Sequence, residues 1–367
     1  MSDCCRRCAR RSWLVGRLAG HIEKARADRV AVRTLLALPS ARLIAAVGGA
    51  LAGPVTEEMA GLDLDAVLAG WGETGARTVC RHSREYPPRL AVLPDPPAAL
   101  HVVGPPGRLP ELAGAPAVAL VGARRCSPGG ARIAAGLGRG CSAAGVTVVS
   151  GMALGVDAAA HRGALESAGA TVAVLAGGPE RAYPARWRRL HAEIASRGAV
   201  VSELPPGTPS FRWGFPARNR IIAALSGLVV VVEAAARSGS LITAEIAADL
   251  GVTVGAVPGA PGSPLAEAPN ELIRDGAVLV RDAADVLEEL VGVRPRGAPA
   301  TEIEPELAEV AELVAAGVGS TEEIALRVGH GAAVLSSLTR LELLGVVERL
   351  GPGRYAPGAA PWRVAGR

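Results

Sequence analysis

From about residue 114 to residue 290, short apolar runs rich in valine alternate with stretches of helical periodicity. Such runs are typical of parallel strands that are buried on both faces of a sheet. Seven strands are predicted, near Val118–Val121, Val146–Ser150, Thr171–Leu175, Ala199–Ser202, Leu228–Glu233, Thr253–Val257 and Ala277–Val280. Strict alternation of strand and helix predicts a doubly wound parallel sheet with right-handed crossovers, which is a Rossmann-like α/β domain.

The flanking segments have different patterns. Helical periodicity interrupted by glycine and proline predicts a small N-terminal helical domain of the SAM or helix-hairpin-helix kind, followed by a proline-rich connector. Beyond a second linker, three predicted helices and a small hairpin indicate a winged helix, whose third helix offers little charge for reading DNA and favours a protein contact. The predicted segments are 1–85 (helical domain), 86–112 (connector), 113–290 (Rossmann-like domain), 291–304 (linker), 305–358 (winged helix) and 359–367 (tail).

Composition narrows the possible functions. The chain has 367 residues, a formal net charge of +4 and a sequence pI near 8.9, which permits a polyanionic partner without requiring one. Its only lysine is Lys24, which follows Glu23 and is not part of a P-loop motif. Lysine-dependent nucleotide hydrolysis and Schiff-base chemistry are therefore not expected.

Cysteine usage and hydropathy indicate the cellular setting. The six cysteines show no paired framework, no cleavable signal peptide is visible, and the longest apolar run, Ile221–Val232, is shorter than a membrane span. We expect a cytoplasmic protein with no membrane partner. Cys5-x-x-Cys8 has no second ligand pair at zinc-ribbon spacing, so no metal site and no cofactor are predicted.

Glycine-containing turns follow several of the predicted strands at their carboxyl ends. Gly122 ends the first strand, and Arg124 and Ser127-Pro128 lead into a helix, an arrangement that attracts phosphate through backbone N–H groups and the helix dipole. An ordinary strand-to-helix turn with solvated arginines explains that stretch equally well. Since strand ends meet at one sheet edge, however, the recurrence of such turns favours an extended phosphate-binding surface. The further turn residues are Gly151, Gly177, Ser238, Gly239 and Ser240.

A stretch rich in arginine and aromatic residues lies between the third and fifth predicted strands. Both phenylalanines of the chain occur within Phe211–Phe215, and Arg186, Arg218 and Arg220 flank them together with Asn219. Guanidinium groups neutralise phosphates and aromatic rings stack on bases, so this pattern suits single-stranded nucleic acid. The alternative is that Phe215 fills the core and that the arginines are solvated.

In their order and spacing, these motifs resemble the DNA-processing protein A family (DprA, also called Smf). The similarity covers roughly residues 110–290. The motifs that carry it are Val121-Gly-x-Arg124-x-x-Ser127, Ser150-Gly-x-Ala153-x-Gly155-x-Asp157, Tyr183-Pro184, Phe215-Pro-x-Arg218-Asn219-Arg220, Ser238-Gly-Ser240 and Val257-Pro258-Gly259. Departures include Gly129 in place of a tyrosine and Ala268-Pro269 in place of a Gly-Ser or Gly-Thr pair.

The resemblance implies a non-enzymatic protein that binds single-stranded DNA, forms a homodimer and loads the recombinase RecA during natural transformation. It also implies which residues line the DNA site. With the turn glycines and Arg186 included, the full set of candidate DNA-binding residues is Gly122, Arg124, Ser127, Gly151, Gly177, Arg186, Phe215, Arg218, Asn219, Arg220, Ser238, Gly239 and Ser240.

An enzymatic alternative is a Rossmann-like nucleotide phosphoribohydrolase. Members of that class carry a Pro-Gly-Gly-x-Gly-Thr run that this chain lacks, so the first hypothesis is favoured and no catalytic residues are assigned. Asp157 and His161 lie four residues apart on one helix face, but helix capping and a buried hydrogen bond explain this pair better than acid–base chemistry.

Overall fold

A computed structural model describes residues 4–27, 31–236, 238–292, 301–329, 331–358 and 362–365. The chain divides into two compact units, Met1–Val293 and Arg294–Arg367. The predicted α/β fold is confirmed, since a large and mostly parallel sheet with helices on both faces forms the core of the first unit.

Thirteen strands and seventeen α-helices occur in the described residues. The strands are β1 Arg77–Cys80, β2 Ala99–Val103, β3 Ala117–Val121, β4 Thr147–Ser150, β5 Thr171–Val174, β6 Ala199–Ser202, β7 Leu228–Val231, β8 Thr253–Ala256, β9 Val278–Leu279, β10 Thr301–Ile303, β11 Val347–Gly351, β12 Arg354–Pro357 and β13 Trp362–Val364. The helices are α1 Arg6–Ala27, α2 Val32–Ala37, α3 Ser40–Val47, α4 Ala52–Ala60, α5 Leu64–Glu73, α6 Pro88–Ala91, α7 Arg108–Gly114, α8 Pro128–Ala143, α9 Val156–Leu165, α10 Arg188–Arg197, α11 Gly214–Leu225, α12 Gly239–Asp249, α13 Glu267–Arg274, α14 Ala283–Val291, α15 Pro305–Ala315, α16 Thr321–Val328 and α17 Gly331–Leu343.

The sheet of the first unit has nine strands in the order β1-β2-β6-β5-β4-β3-β7-β8-β9. The seven strands from β3 to β9 are mutually parallel and correspond to the seven predicted runs. After β3 the chain adds β4, β5 and β6 in turn toward one edge of the sheet. It then crosses to the other side of β3, where it forms β7. Ligands of doubly wound sheets bind at such a reversal, outside the carboxyl ends of the strands.

Two strands of the sheet have no counterpart among the predicted elements. β1 and β2 pair antiparallel with each other, and β2 pairs antiparallel with β6, so both extend the sheet at one edge. The proline-rich connector predicted over 86–112 therefore contains β2, a full member of the sheet, together with α6 and the start of α7.

Alternation along the strands explains the two apolar layers. Within β3, Ala117, Ala119 and Val121 face one layer, whereas Val118 and Leu120 face the other. α11 and α12 cover the first face, and α8, α9 and α14 cover the second. Most of these strand residues are fully buried, which is why their sequence is almost continuously apolar.

The N-terminal helices belong to the same compact unit as the sheet. Side chains of α1 to α4 form one apolar cluster with Leu204, Trp213 and Ala217. The indole N–H of Trp213 donates to the Ala19 carbonyl at 2.9 Å, and the Trp213 backbone N–H donates to Glu23 at 3.0 Å. α1 is thereby attached to the beginning of α11.

The second unit contains α15, α16, α17 and the antiparallel pair β11–β12 around one apolar cluster. It also contains a parallel pair, β10 with β13, in segments that were predicted as linker and tail. Within those two segments, residues 293–300, 359–361 and 366–367 lie outside the described residues. Among the described helices of both units, none is both long and apolar enough to cross a bilayer.

Candidate nucleic-acid interface

The turns that follow β3 and β7 lie against each other at the point where the strand order reverses. The Ala123 N–H donates to the Glu233 carbonyl at 2.6 Å. A side chain on Gly122 would lie 2.7 Å from Val156 Cγ2 and 2.8 Å from the Glu233 carbonyl oxygen, so only glycine fits there. Gly122 therefore serves the close approach of the two turns.

The N-terminus of α8 carries a protein carboxylate. The Ser127 N–H and hydroxyl donate to the two Glu233 carboxylate oxygens at 2.8 and 2.6 Å, while the Gly130 N–H donates to the Ser127 hydroxyl at 2.9 Å. A side chain on Gly130 would collide with the Glu233 carboxyl group. The phosphate role predicted for Ser127 is thus corrected, because Glu233 already fills the anion position.

Arg218 lies beneath the turn that follows β4. Its guanidinium occupies the space beside Gly151, donates to the Val174 carbonyl and lies 3.9 Å from an Asp157 carboxylate oxygen. Asp157 itself accepts the N–H groups of Gly151 and Ala153, in the turn before α9, at 3.1 and 3.3 Å. Its predicted role as a helix cap is wrong, because Gly155 is the N-cap of α9 and Asp157 lies inside the first helical turn. Only 9% of the Arg218 side chain is exposed, so it supports the surface from below.

Burial also sets the electrostatics of this pair. Burial, together with the smaller effect of the Arg124 charge, lowers the pKa of Arg218 to about 10, whereas Asp157 opposes the shift. Burial raises the pKa of Asp157, and the Arg218 charge opposes that change. Arg218 thus stays protonated near neutral pH and adds positive potential below the turn.

Exposed and half-buried groups line the edge above these buried ones. The Arg124 guanidinium carbon lies 5.1 Å from the centre of the Phe215 ring, and the Phe215 and Tyr183 ring centres are 5.4 Å apart. Asn219, one helical turn beyond Phe215 on α11, directs its amide toward the Gly239 carbonyl at 3.5 Å. We call this surface the rim; its residues are Arg124, Tyr183, Phe215, Asn219, Ser238 and Gly239.

The start of α12 completes the rim. Ser238 is the N-cap of α12, and its hydroxyl accepts from the Ser240 N–H at 3.4 Å and lies 2.8 Å from the Ser240 hydroxyl. Gly239 is exposed and Ser238 is half-buried, whereas Ser240 is buried. The N–H groups of Ser238, Ser240 and Leu241 donate within the protein, to the Ala235 carbonyl, the Ser238 hydroxyl and the Ser238 carbonyl, so this helix start favours an anion mainly through its dipole.

Two further residues of the predicted site have no contact with the rim residues among the interactions described above. Gly177 is buried, and the space a side chain would need is taken by Ser210, whose hydroxyl would lie 2.6 Å from it. Arg186 packs against Trp187 and lines a cavity of about 460 Å³ shared with Arg162 and Glu166; its DNA contact stays a prediction.

Arg220 requires a correction, because the structure places it inside the protein. Its side chain is 0% exposed and donates to Asp95 and Glu203 at 2.9 Å each. Two further donations reach the Asp95 and Ala217 carbonyls at 3.1 and 3.0 Å. A guanidinium engaged in this way cannot also contact a phosphate.

Tyr183 is a rim residue that the predicted set omits. It is 48% exposed and pairs with Phe215, so the rim offers two aromatic rings instead of one. The chain has only three tyrosines, and this one directly precedes the arginine-rich stretch, which is the signal in the sequence that points to it.

The prediction that no metal site exists rested on a missing second ligand pair for Cys5 and Cys8. The structure supplies such a pair in Cys80 and His82, whose donor atoms lie within 4.8 Å of one another and of both N-terminal sulfurs. The stated reason for excluding a metal was therefore wrong.

Comparison with known proteins agrees with the fold and with the motifs. The profile of the family described as DNA recombination-mediator protein A matches residues 77–291. A putative DNA processing protein DprA of Mycobacterium tuberculosis is 37% identical over 338 residues, which cover 86% of this chain and 82% of that protein.

Solved structures give the same result. The DNA processing protein A of Streptococcus pneumoniae superposes with a TM-score of 0.62 at 33% identity, over 77% of this chain and 96% of that one. A structure concerned with the single-stranded DNA binding mode of DNA processing protein A from Helicobacter pylori has a TM-score of 0.53 at 28% identity, over 60% of this chain and 98% of that one. This chain therefore belongs to the family of DNA recombination-mediator protein A.

Proposed function

We propose that this protein binds single-stranded DNA along the rim, without catalysing a reaction on it, and delivers the bound strand to a recombinase. The observation that carries the proposal is the contact of Phe215 with the Arg124 guanidinium and with the tilted Tyr183 ring at the carboxyl edge of the sheet. Family membership and the solved relatives support the same interpretation.

The rim suits an unpaired strand because its two kinds of contact serve different parts of a nucleotide. Base–aromatic stacking contributes roughly 1–3 kcal/mol per base and requires a base that is not already stacked in a duplex. The Arg124 guanidinium and the helix dipole at the start of α12 suit phosphate oxygens. Buried Arg218 adds positive potential without direct contact.

The proposal is tested by titrating the protein with an oligo-dT and with a duplex of equal length at two salt concentrations. We expect tighter binding of the single strand at both concentrations, because stacking is unavailable in the duplex. Equal affinity for both in direct competition would contradict the proposal.

Phe215→Ala is expected to weaken oligo-dT binding by roughly 5- to 150-fold, since it removes one of the two rim rings on which a base can stack. Phe215→Tyr keeps a ring of nearly the same size and should retain most of the affinity. Fluorescence anisotropy with labelled oligo-dT measures both. If the alanine and tyrosine variants bind equally weakly, packing rather than base stacking is the cause.

Arg124→Ala is expected to flatten the dependence of affinity on salt, because removing one phosphate neutralisation reduces the log–log slope by about 0.7 for a single strand. Arg139→Ala is a matched control: it removes the same charge from the C-terminal half of α8, where Arg139 pairs with Glu166 at 2.5 Å. Identical slopes for wild type and Arg124→Ala would remove Arg124 from the DNA-binding residues.

The finer parts of the proposal concern partners. We infer that the protein acts in the cytoplasm as a homodimer and loads RecA on incoming strands during natural transformation, as the family resemblance implies. Size-exclusion chromatography with light scattering tests the dimer, and RecA filament assembly on strands coated with single-strand-binding protein tests loading. A monomer at micromolar concentration, or assembly rates unchanged by the protein, would reject the corresponding part.

A nucleotide phosphoribohydrolase is the competing function. The carboxylate of Glu233 at the α8 N-terminus argues against a substrate phosphate in that position. We expect no release of base from nucleoside monophosphates; release at enzymatic rates would overturn the non-enzymatic proposal.

A further inference from the structure

We propose that Cys5, Cys8, Cys80 and His82 bind a structural zinc ion that joins the start of α1 to the end of β1. Cys5 directly precedes α1, and Cys8 lies in its first turn. Cys80 is the last residue of β1, and His82 lies in the turn that follows. Two short ligand pairs, far apart in sequence, thus meet in space.

The distances between the donor atoms suit a tetrahedral ion. The His82 Nδ1 atom lies 3.4 Å from the Cys5 sulfur, 3.4 Å from the Cys8 sulfur and 4.0 Å from the Cys80 sulfur. Zinc–ligand bonds of about 2.3 Å to sulfur and 2.0–2.1 Å to nitrogen place tetrahedral ligands about 3.6 Å apart for a sulfur–nitrogen pair. Small adjustments of the side chains would therefore complete the coordination.

Hydrogen bonding among the four groups does not explain this convergence. A neutral imidazole nitrogen can accept one hydrogen bond, yet three sulfurs surround the same Nδ1 atom. A disulfide is also absent, since none of the six cysteines forms one. A cation between the donors satisfies all four together.

The surroundings of the cluster are also typical of a metal site. The Cys5 N–H points to the Cys80 sulfur at 3.4 Å, an outer-shell hydrogen bond of the kind that orients a thiolate ligand. Cys8 and Cys80 are buried and pack with Ala99 of β2, which shields the site on one side. Cys4 is close by: its thiol donates to the Cys5 carbonyl at 3.6 Å and also interacts with Cys80, but it is not one of the four converging donors.

Ligand chemistry selects the metal and the role. Three thiolates and one imidazole favour zinc over the hard cations that prefer oxygen ligands. Four protein ligands leave no open position for water or substrate, so the ion is structural. It would join residues that precede the family match, which begins at residue 77, to the first strand within it.

The test is metal analysis of the full-length protein, purified without a histidine tag under reducing conditions. We expect about one zinc ion per chain by plasma mass spectrometry. Cys8→Ser and His82→Ala should lose most of it, because each removes one ligand. Cys4→Ser, a neighbouring thiol outside the tetrad, and Cys126→Ser, a distant one, should keep it.

A second measurement keeps the proposal testable if the ligand variants do not fold. Wild-type protein stripped by a chelator and titrated with cobalt should develop the intense thiolate-to-cobalt absorption and the visible bands of a tetrahedral site, and added zinc should remove both. The proposal is overturned if the reduced wild-type protein holds no zinc and takes up neither metal. It is equally overturned if iron replaces zinc, or if Cys8→Ser and His82→Ala retain wild-type zinc.

Discussion

Arg220→Met is expected to lower the free energy of unfolding by about 3–5 kcal/mol while leaving the affinity of the folded protein for single-stranded DNA almost unchanged. The substitution leaves Asp95 and Glu203 without the cation that both contact at 2.9 Å. The Asp95 side chain is 4% exposed, so water cannot replace the missing partner. Arg33, at 3.8 Å from Asp95 and 40% exposed, offers only weak compensation.

Urea unfolding measures the stability loss, and oligo-dT anisotropy below the unfolding transition measures the affinity. Arg212→Ala is the matched control, because it removes an exposed arginine from the same segment and should change stability by less than about 0.5 kcal/mol. Adding Glu203→Gln to Arg220→Met should recover part of the loss, since one uncompensated charge disappears. Weakened DNA binding at unchanged stability would instead show that Arg220 contributes directly to DNA binding.

The parallel core of the fold could be predicted because each of its strands is buried on both faces. Runs such as Val118–Val121 and Leu228–Val231 are apolar throughout, and no other element type explains so short a run between helices. β1 and β2 could not be found in this way. They are short strands near the sheet edge, their sequences include Arg77 and His101, and prolines surround β2.

The site could be predicted only in part, because the type of a residue does not reveal whether its side chain is exposed at the surface or buried beneath it. Arg218 and Arg220 share one motif, but successive helix positions are rotated by about 100°, so the two side chains leave α11 in different directions. The partner of Arg220, Asp95, is 125 residues away. Likewise, Gly122 and Gly151 indicate positions where another group comes close to the backbone. In the structure that group is the Val156 side chain at Gly122 and the Arg218 guanidinium at Gly151, and neither is a ligand.

Long-range pairing also explains the cysteine cluster. Cys5-x-x-Cys8 alone is a weak signal, and the residues that complete the cluster, Cys80 and His82, lie at the end of and just after a strand that the sequence pattern does not reveal. Tyr183 joins the rim for the same reason: its partner Phe215 is distant in sequence and close in the fold. Local patterns thus predicted the elements, whereas the pairing of particular side chains required the three-dimensional structure.

Two fully buried histidines give the protein an expected acid sensitivity. Burial lowers the pKa of His101 to about 3, and burial together with the nearby Arg218 charge lowers the pKa of His161 to about 3. His161 Nδ1 donates to the Thr171 hydroxyl at 2.7 Å, because that hydroxyl itself donates to the Val148 carbonyl. His101 lies between the hydroxyls of Ser12 and Thr78 at 2.7 and 3.1 Å.

The direction of the effect follows from the proton count of each state. Below the ordinary histidine pKa of 6.5 the unfolded chain binds a proton at each histidine, whereas the folded protein does so only near pH 3. The stabilisation is therefore complete above pH 6.5 and is lost as the pH falls toward 3. At pH 5 each histidine accounts for a loss of about 2 kcal/mol, which gives about 4 kcal/mol for the pair.

Urea unfolding of wild type and of a His101→Gln/His161→Asn variant, at pH 8 and pH 5 and constant ionic strength, tests this expectation. The wild type should lose about 4 kcal/mol more between the two pH values than the double variant does, and each single variant should show about half of that excess. Comparing variants removes contributions that both proteins share, including ligand protonation at the proposed zinc site and the opposing effect of Asp157, whose pKa burial raises. Equal losses in wild type and double variant would mean that the folded protein admits a proton at these histidines, and the buried environment assigned to them would be wrong.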